Sequence, residues 1–309
     1  MAYQVPTRPR GSGELISEVF SLWSAHVMAL WRVNVFAQAP YAVLVSIVPV
    51  VTGFAGAQGR FQQLSRTGAT PRMSDLAPLM GSEAAYLLIV LLAAFVITPF
   101  LTTPLLHATA EIMWGRPTPV GQAYAAARRV YGRLLIQTLV VSLVVVGVTA
   151  AGALAILLVG VLLSLVIHQF ALLVVIPLVF AGMAALVALA LYVNTRYALG
   201  PAAVLLEKAG PVDGLVRSAR LTRGRFWATF VVQFVAGLPV LAYGIVVGIA
   251  SSIAGLGGPA APYILQAIMA GLLLPIVFPV VPVAQVVLYA EYRRREIAAA
   301  PPQTGASLG

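Results

Sequence analysis

The chain contains no cysteine among its 309 residues. Disulfide bonds, thiolate metal sites and cysteine nucleophiles are therefore excluded. Charge is also scarce, because Asp, Glu, Lys and Arg together make up 9% of the sequence, whereas soluble domains carry about 25%. Since 61% of the residues are hydrophobic, we expect an integral membrane protein.

Stretches without a charged residue set the number of expected membrane spans. They lie at 33–59, 84–110, 134–195 and 226–290. A helix needs about 20 apolar residues to cross the hydrocarbon layer, so the first two stretches hold one span each and the longer two hold a hairpin each. All six spans should be helices, because lipid offers the backbone no hydrogen-bond partner. The predicted spans are 33–57, 84–106, 134–162, 169–195, 226–253 and 262–290.

The positions of the basic residues predict the orientation. With six spans, every Lys and Arg except Arg60, Arg66 and Arg72 falls on the side that holds both termini. The positive-inside rule then places both termini in the cytoplasm. A cleavable signal peptide ending near 55–57 is the competing interpretation, but the first apolar stretch is longer than the roughly 7–15 apolar residues of a signal.

Two basic segments, 118–139 and 210–230, share one sequence pattern, and each precedes a predicted span. The ends of spans four and six also match, as "LYVNTR" and "LYAEYR". A Tyr followed by Arg at a span end is typical of an interfacial anchor. Three pairs of segments align: 119–120 with 211–212, 127–128 with 219–220, and 132–133 with 224–225.

The N-terminal segment 12–23 is a candidate third copy of this pattern, since Leu15, Val19, Leu22 and Trp23 form a helical apolar stripe. We therefore expect three units, each an interfacial amphipathic helix followed by a transmembrane hairpin. Two spans per unit keep every copy in the same orientation. The expected repeat units are 12–106, 118–197 and 210–293, inside one membrane domain at 12–297, with disordered ends at 1–11 and 298–309.

The segment 210–230 carries the clearest amphipathic pattern. Pro211 suits the first turn of a helix, where its missing N–H is no loss. Asp213 suits the same turn and is expected to pair with Arg217 at i,i+4. Gly224 is the expected bend before the next span. The predicted apolar stripe contains Val212, Leu215, Val216, Ala219 and Phe226.

The stretch 199–227 resembles the signature of the glycerophosphoryl diester phosphodiesterase membrane-domain family and its bacterial relatives. The six-span layout is similar to that family as well. The matching positions are Pro201, Glu207, Gly210, Pro211, Leu215, Arg217, Ser218, Leu221, Gly224, Arg225, Phe226 and Trp227.

The resemblance implies a membrane domain of the bacterial plasma membrane, associated with lipid or lipid-derived substrates. It does not imply phosphodiesterase activity, because in fused members that chemistry belongs to a separate soluble barrel. Such a barrel needs about 250 residues, and the segments between the predicted spans are far shorter.

The arginines of the two basic segments are the candidate binding residues for anionic lipid phosphates. Glu207 and Asp213 are candidate supporting residues that orient them. The simpler alternative is that these arginines only fix the topology. A segment tethered to the membrane on both sides does not suit DNA, so no nucleic acid partner is expected. The candidate arginines are Arg128, Arg129, Arg133, Arg217, Arg220, Arg223 and Arg225.

Three prolines predict a break in the sixth span. Pro275, Pro279 and Pro282 fall within two turns, and each removes a backbone hydrogen bond. Broken helices line substrate cavities in many transporters. The alternative is a kinked helix that only packs, since proline is ordinarily tolerated in membrane helices.

Residues able to carry chemistry are few. His107 and Glu111 stand at i,i+4, but two ligands do not make a metal site. We predict no catalytic residues, no metal and no cofactor. The leading hypothesis is a non-enzymatic membrane protein that binds lipid headgroups, scaffolds, or serves as an accessory subunit with a protein partner. A permease or flippase for an apolar or amphipathic solute is the second hypothesis, and a membrane-embedded enzyme is the third.

Overall fold

The computed structural model describes residues 8–68, 73–116, 119–166, 171–258 and 261–299, and within these ranges all regular secondary structure is helical. A short 3₁₀ turn, Gly255–Gly257, follows α9. The α-helices, numbered α1 to α12 in chain order, are Ser12–Ala25, Val27–Val51, Phe54–Thr67, Met73–Met113, Val120–Val166, Ala171–Tyr197, Gly200–Leu206, Pro211–Leu221, Phe226–Ala254, Ala261–Leu272, Leu274–Val277 and Val280–Ala299.

Six helical segments are long and apolar enough to cross a membrane. They are formed by α2, α4, α5, α6, α9, and by α10 to α12 together. The prediction of an all-α protein with six transmembrane helices is therefore confirmed. Along these segments α2 packs against α4, α5 against α6, and α9 against α10. The break predicted between spans three and four includes residues 167–170, with His168 among them, and these lie outside the described residues. Arg72 lies outside the described residues as well.

Some helix boundaries differ from the prediction because two glycines take conformations that the pattern does not reveal. Span one was expected to continue to residue 57, but α2 ends at Val51, where Gly53 follows with a φ of 74°. In the opposite sense, Gly132 stays helical, so 120–166 form the single helix α5. The prediction of a separate interfacial helix before span three is therefore wrong. Gly224 does form the predicted bend, with a φ of 72° between α8 and α9.

The first helix lies against the last one. Leu15 and Val19 are fully buried, as the apolar stripe of segment 12–23 predicts, and α1 packs against α12 and α9. The segment preceding α1 is also held, because Arg10 makes ion pairs with Glu18 and Glu291. These contacts differ from the expected disorder of 1–11, of which residues 1–7 lie outside the described residues. The helix α12 likewise extends to Ala299, into the expected tail.

The densest core gathers at one end of the bundle, which we call the arginine end. There α1, α7, α8, the first turns of α5 and α9, and the last turns of α4, α6 and α12 meet. Both ends of the described chain also lie there, as an even number of spans requires. The middle of the long helices exposes large apolar side chains, as expected of a surface that faces lipid. The fully buried side chains of the core at the arginine end include Leu105, Leu106, Leu199, Leu288, Tyr289 and Tyr292.

Candidate functional site

The basic segment 199–227 folds as two short helices that return the chain to the membrane. Pro201 and Pro211 stand in the first turns of α7 and α8, where a missing N–H costs nothing. Gly210 is extended before α8, and the positive φ of Gly224 redirects the chain into α9. The prolines and glycines of the sequence pattern therefore set the path of this segment.

Ser218 fixes α8 to the end of α6. Its hydroxyl donates to the carbonyl of Arg196 at 2.9 Å and accepts a hydrogen bond from the backbone N–H of Leu199 at 3.1 Å. Ser218 is fully buried, and Leu215 beside it is buried as well. The predicted apolar stripe is only partly a packing face, because Val212 and Val216 are exposed. Thus one side of α8 packs against the protein, and the side with Val212 and Val216 is exposed.

Arg217 lies between two carboxylates, Glu207 just after α7 and Glu296 on α12. Its Nε and Nη2 donate to the two oxygens of Glu207 at 3.0 and 3.1 Å. Its Nη1 and Nη2 lie 2.7 and 2.6 Å from the oxygens of Glu296. The hydrogen bond to Glu296 and those to Glu207 raise the pKa of Arg217 despite its burial. This arginine is therefore committed to joining α7, α8 and α12.

Glu207 is the supporting carboxylate that the sequence predicted. Burial acts to raise its pKa, but the hydrogen bonds from Arg217 and the charges of Arg217 and Arg293 outweigh burial and lower it. The expected partner Asp213 behaves differently. Among the described residues no ion pair joins Asp213 to Arg217, so the predicted i,i+4 pair is wrong. Glu207 and Glu296 occupy the guanidinium instead, because tertiary packing brings them closer.

The other arginines near α8 divide by exposure. The side chain of Arg220 is 64% exposed, and its Nε lies 3.9 Å from a carboxylate oxygen of Glu296. Arg223, three residues further along the chain, is exposed as well. Arg225 is half-buried, with its guanidinium 5.2 Å from the ring centre of Tyr292. Such a contact stabilises a cation over an aromatic face. Arg220 and Arg223 therefore present more of their charge to the surroundings than Arg217 and Arg225 do.

The arginines of α5 divide between two faces of that helix, with Arg129 and Arg133 at i,i+4 on one face and Arg128 on another. Arg133 donates from Nη1 to the carbonyl of Lys208 at 3.0 Å, which ties α5 to the segment after α7. Arg128 and Arg129 are both exposed. Only Arg128 of these two lines a groove of about 610 Å³, which we call the α4–α5 groove. Its other lining residues are Phe100, Gly121, Tyr124, Ala125 and Tyr131.

A second ion cluster at the arginine end escaped the sequence analysis. Glu291 is fully buried and accepts hydrogen bonds from Arg294 at 2.8 Å and from Arg295 at 2.7 Å. Arg10 adds a bond from its Nε at 3.1 Å. The signal available in the sequence was an isolated glutamate just before three arginines. Its partner Arg10 lies 281 residues away, which no local pattern reveals.

Beside this cluster a pocket of about 600 Å³, the end pocket, opens between α4, α7 and α12. Its walls are mainly apolar, with Met113, Leu206 and Ile297 among them. Arg293 stands at its wall, half-exposed, with its Nε 3.6 Å from Glu207. The pocket therefore combines apolar walls with cationic groups.

The predicted break in span six is confirmed, and α1 and α2 cover it. Residues 273 and 278–279 interrupt the helix, and Pro275, Pro279 and Pro282 are all buried. Pro279 has no N–H to give to the carbonyl four residues earlier, which belongs to Pro275. The side-chain amide of Asn34 donates to that carbonyl at 3.4 Å. The substrate cavity expected here stays a prediction.

The indole of Trp23 supports the same break from α1. Its N–H donates to the carbonyl of Ile276 at 3.0 Å. A buried carbonyl without a donor is costly in a membrane, so both side chains stabilise the interrupted backbone. This arrangement agrees with a packing role for the prolines.

An uncharged polar cleft of about 160 Å³ lies between α5, α6 and α12. Gln137, Ser142, Asn194 and Gln285 are among its lining residues. Gln137 is 3% exposed, and neither atom of its amide has a hydrogen-bond partner within the described chain. The cleft therefore offers buried donors and acceptors without a charge.

His107 and Glu111, the i,i+4 pair noted in the sequence, do not join a larger cluster of metal-binding side chains among the described residues. Glu111 forms an ion pair with Arg116 at 3.0 Å, and His107 is half-buried in α4. In the described ranges no group of three or more His, Asp or Glu side chains could hold a metal ion. The third ligand that an embedded enzyme would require is thus not found there.

Comparison with protein families gives one relationship. A family model described as "Domain of unknown function (DUF7847)" matches residues 35–294. The chain belongs to the DUF7847 family. The match covers helices α3 to α11 whole, most of α2 and most of α12. Neither the curated proteins nor the solved structures contain a match to the chain. This DUF7847 membership does not link the chain to the glycerophosphoryl diester phosphodiesterase membrane domains, so that resemblance stays a prediction.

Proposed function

We propose that the protein is a non-enzymatic membrane protein that binds anionic lipid headgroups through its exposed arginines. The observation that supports this proposal is that some guanidinium groups are paired with carboxylates, whereas others are exposed and have no carboxylate nearby. Arg217 is enclosed by two carboxylates, whereas Arg128, Arg129 and Arg223 are exposed and have no carboxylate within ion-pair distance among the described residues. Exposed cations at a membrane surface attract lipid phosphates.

Charge at the arginine end is suited to this role. Each Lys or Arg near an anionic membrane surface contributes about 1 kcal/mol of attraction, so several exposed arginines together hold lipid firmly. The proposal places this end at the cytoplasmic face of a bacterial plasma membrane, as the positive-inside rule favours. On that face the anionic leaflet supplies the ligand.

The packing of the first helix suggests how the arginine end is assembled, and we include three repeated units in the proposal. The second amphipathic segment, at the start of α5, packs against α4, and the third, α8, packs against α6. The first, α1, packs against α12. Each segment would thus rest on the last span of the preceding unit, with the first unit closing the ring.

Lipid retention in native membranes tests the proposal. The protein would be extracted with its lipid into nanodiscs, and bound lipid would be identified by mass spectrometry. A variant with Arg128, Arg129 and Arg223 changed to Gln should retain little of the anionic lipid that the wild type holds, since about 3 kcal/mol of attraction, or about a hundredfold in affinity, is removed. Changing Arg60 to Gln is the matched control, because Arg60 is exposed on α3, away from the arginine end.

Two results of this experiment would replace the proposal. Equal anionic lipid in all three samples would show that the arginines only fix topology. A protein that co-purifies at fixed stoichiometry, with no enriched lipid, would identify an accessory subunit of a membrane complex.

The polar cleft supports a second candidate function, a permease or flippase. Unpartnered amide atoms of Gln137 inside a membrane protein are costly unless a ligand or water satisfies them. A neutral amphipathic solute with hydroxyl groups would do so. Uptake into proteoliposomes that falls on changing Gln137 to Leu, but not on changing Arg128 to Gln, would favour this function over the first.

A further inference from the structure

The α4–α5 groove is built on one face of a helix. Gly121, Tyr124, Ala125, Arg128 and Tyr131 recur along α5 at spacings of three or four residues, which places them in one row. The ring of Phe100 on α4 forms the facing wall, with its centre 5.5 Å from the ring centre of Tyr124. Gly121 and Ala125 leave the space that their larger neighbours enclose.

The aromatic rings of the groove are held in place. The hydroxyl of Tyr124 donates to the carbonyl of Val33 at 2.7 Å, and the hydroxyl of Tyr131 donates to the carbonyl of Val96 at 2.9 Å. Phe100 meets the ring of Tyr131 edge-on, with ring centres 6.4 Å apart. The groove is therefore largely pre-formed, so an occupant would order few side chains on binding.

The surface around the groove is apolar and exposed, as a surface in contact with lipid would be. Val96 and Phe100 on α4 are exposed, and so are Ile136 and Leu139, which continue along α5 from the groove. Tyrosines are typical of the headgroup level of a membrane, where their rings meet lipid and their hydroxyls meet polar groups. An occupant of this groove would therefore enter from the bilayer.

Charge decides which lipid fits. Arg128 is the charged side chain among the residues that line the groove. No carboxylate lies within ion-pair distance of it in the described chain, so a cationic headgroup would meet repulsion without compensation. An anionic phosphate would meet a guanidinium that forms two parallel hydrogen bonds with it.

We propose that the α4–α5 groove holds one anionic phospholipid, with its phosphate on Arg128 and its glycerol and first methylene groups against Phe100, Tyr124 and Tyr131. This site rests on the proposed lipid-binding function and adds a defined place to it. The general attraction of a basic surface depends on charge alone. A site depends on charge and shape together.

The neighbouring residue supplies a matched control for charge. Arg128 and Arg129 are adjacent and exposed, but Arg129 does not line the groove. The measurement is the binding of phosphatidylglycerol, titrated into detergent-purified protein and followed by native mass spectrometry. Arg128→Gln should weaken binding at least about fiftyfold, because a charge-assisted hydrogen bond is lost together with the surface charge. Arg129→Gln removes only surface charge and should weaken binding no more than about fivefold.

Two glycines supply a matched control for shape. A Cβ added at Gly121 or at Gly132 would meet no atom within 4 Å, so the backbone at both positions leaves room for a side chain, but only Gly121 lines the groove. Gly121→Leu fills the groove without changing the charge and should weaken phosphatidylglycerol binding about as much as Arg128→Gln does. Gly132→Leu should leave binding at the wild-type value.

The outcomes separate the site from the proposed function. Equal weakening by Arg128→Gln and Arg129→Gln, with no effect of Gly121→Leu, would overturn the site and leave a general basic surface. If the wild type binds phosphatidylglycerol no more tightly than phosphatidylcholine, the proposed function is overturned as well. Full competition by soluble glycerol phosphate would also overturn the site, because a lipid held through its acyl chains should resist a free headgroup.

Discussion

The Nε of Arg10 lies 3.1 Å from a carboxylate oxygen of Glu291, although 281 residues separate the two in the chain. Glu291 also accepts hydrogen bonds from Arg294 and Arg295 on its own helix. This buried cluster attaches the segment before α1 to α12. It holds the first and last helices together at the arginine end.

Removing the carboxylate of Glu291 should destabilise the protein strongly. Glu291→Ala leaves several arginines clustered in a buried place without their anion, and breaking a buried ion pair in this way costs about 3–5 kcal/mol. Thermal unfolding in detergent would measure the loss. Arg8→Ala is the control, because the ion pair of Arg8 with Glu14 is exposed and should contribute less than about 1 kcal/mol. Equal melting temperatures for the two variants would contradict the structural role of Glu291.

Acid should weaken the Glu207–Arg217 link. The pKa of Glu207 is lowered in the folded protein, so the unfolded chain takes up this proton more readily. The stability that Glu207 contributes is therefore complete above the ordinary glutamate pKa and is lost as the pH falls through the lowered value. The melting temperatures of wild type and Glu207→Gln should differ at neutral pH and converge in acid. A difference that stays constant across the acid range would refute this linkage.

Trp23 should stabilise the broken sixth span through its N–H. Trp23→Phe keeps most of the ring but leaves the carbonyl of Ile276 without this donor, for a cost of about 1–3 kcal/mol. Trp227→Phe is the control, since Trp227 is 73% exposed on α9. Chemical unfolding in mixed micelles would compare them. If Trp227→Phe proves the more harmful change, the capping role of Trp23 is wrong.

A side chain at Gly200 should displace the amide of Gln137, the neighbour that it would meet. A Cβ at Gly200 would lie 2.1 Å from the Nε2 of Gln137. Gly200→Ala should therefore cost about 1–3 kcal/mol through overpacking, and Gln137→Ala should offset part of that cost in the double variant. Gly132→Ala has open space in α5 and should be neutral or slightly stabilising. Additive effects of the Gly200 and Gln137 changes would contradict this contact.

Much of the fold could be predicted from local patterns, and the exceptions have physical causes. The prolines of span six predicted its break, because a proline disrupts a helix wherever it stands inside one. Gly132 and Gly224 align in the sequence, yet only Gly224 takes a positive φ. A glycine permits a bend without requiring it, so the packing around each glycine decided the outcome.

The candidate site was predictable in its composition and not in its internal pairing. The sequence identified the seven arginines and Glu207 as belonging together. It also assigned Asp213 to Arg217, because i,i+4 pairs are the contacts that sequence spacing can reveal. In the folded chain Arg217 instead binds Glu207 and Glu296, the latter 79 residues away.

The sequence by itself determined that this protein is a bundle of six apolar helices, because scarce charge and long apolar stretches leave no other way to satisfy the backbone in lipid. It also placed the arginines at one end. Only the tertiary structure decided which of them remain available. Glu207, just after α7, and Glu296, from the distant helix α12, enclose Arg217, whereas Arg128 lies in a groove between α4 and α5 with no carboxylate within ion-pair distance in the described chain. Contacts between residues far apart in the chain set that difference, and no local pattern contains them.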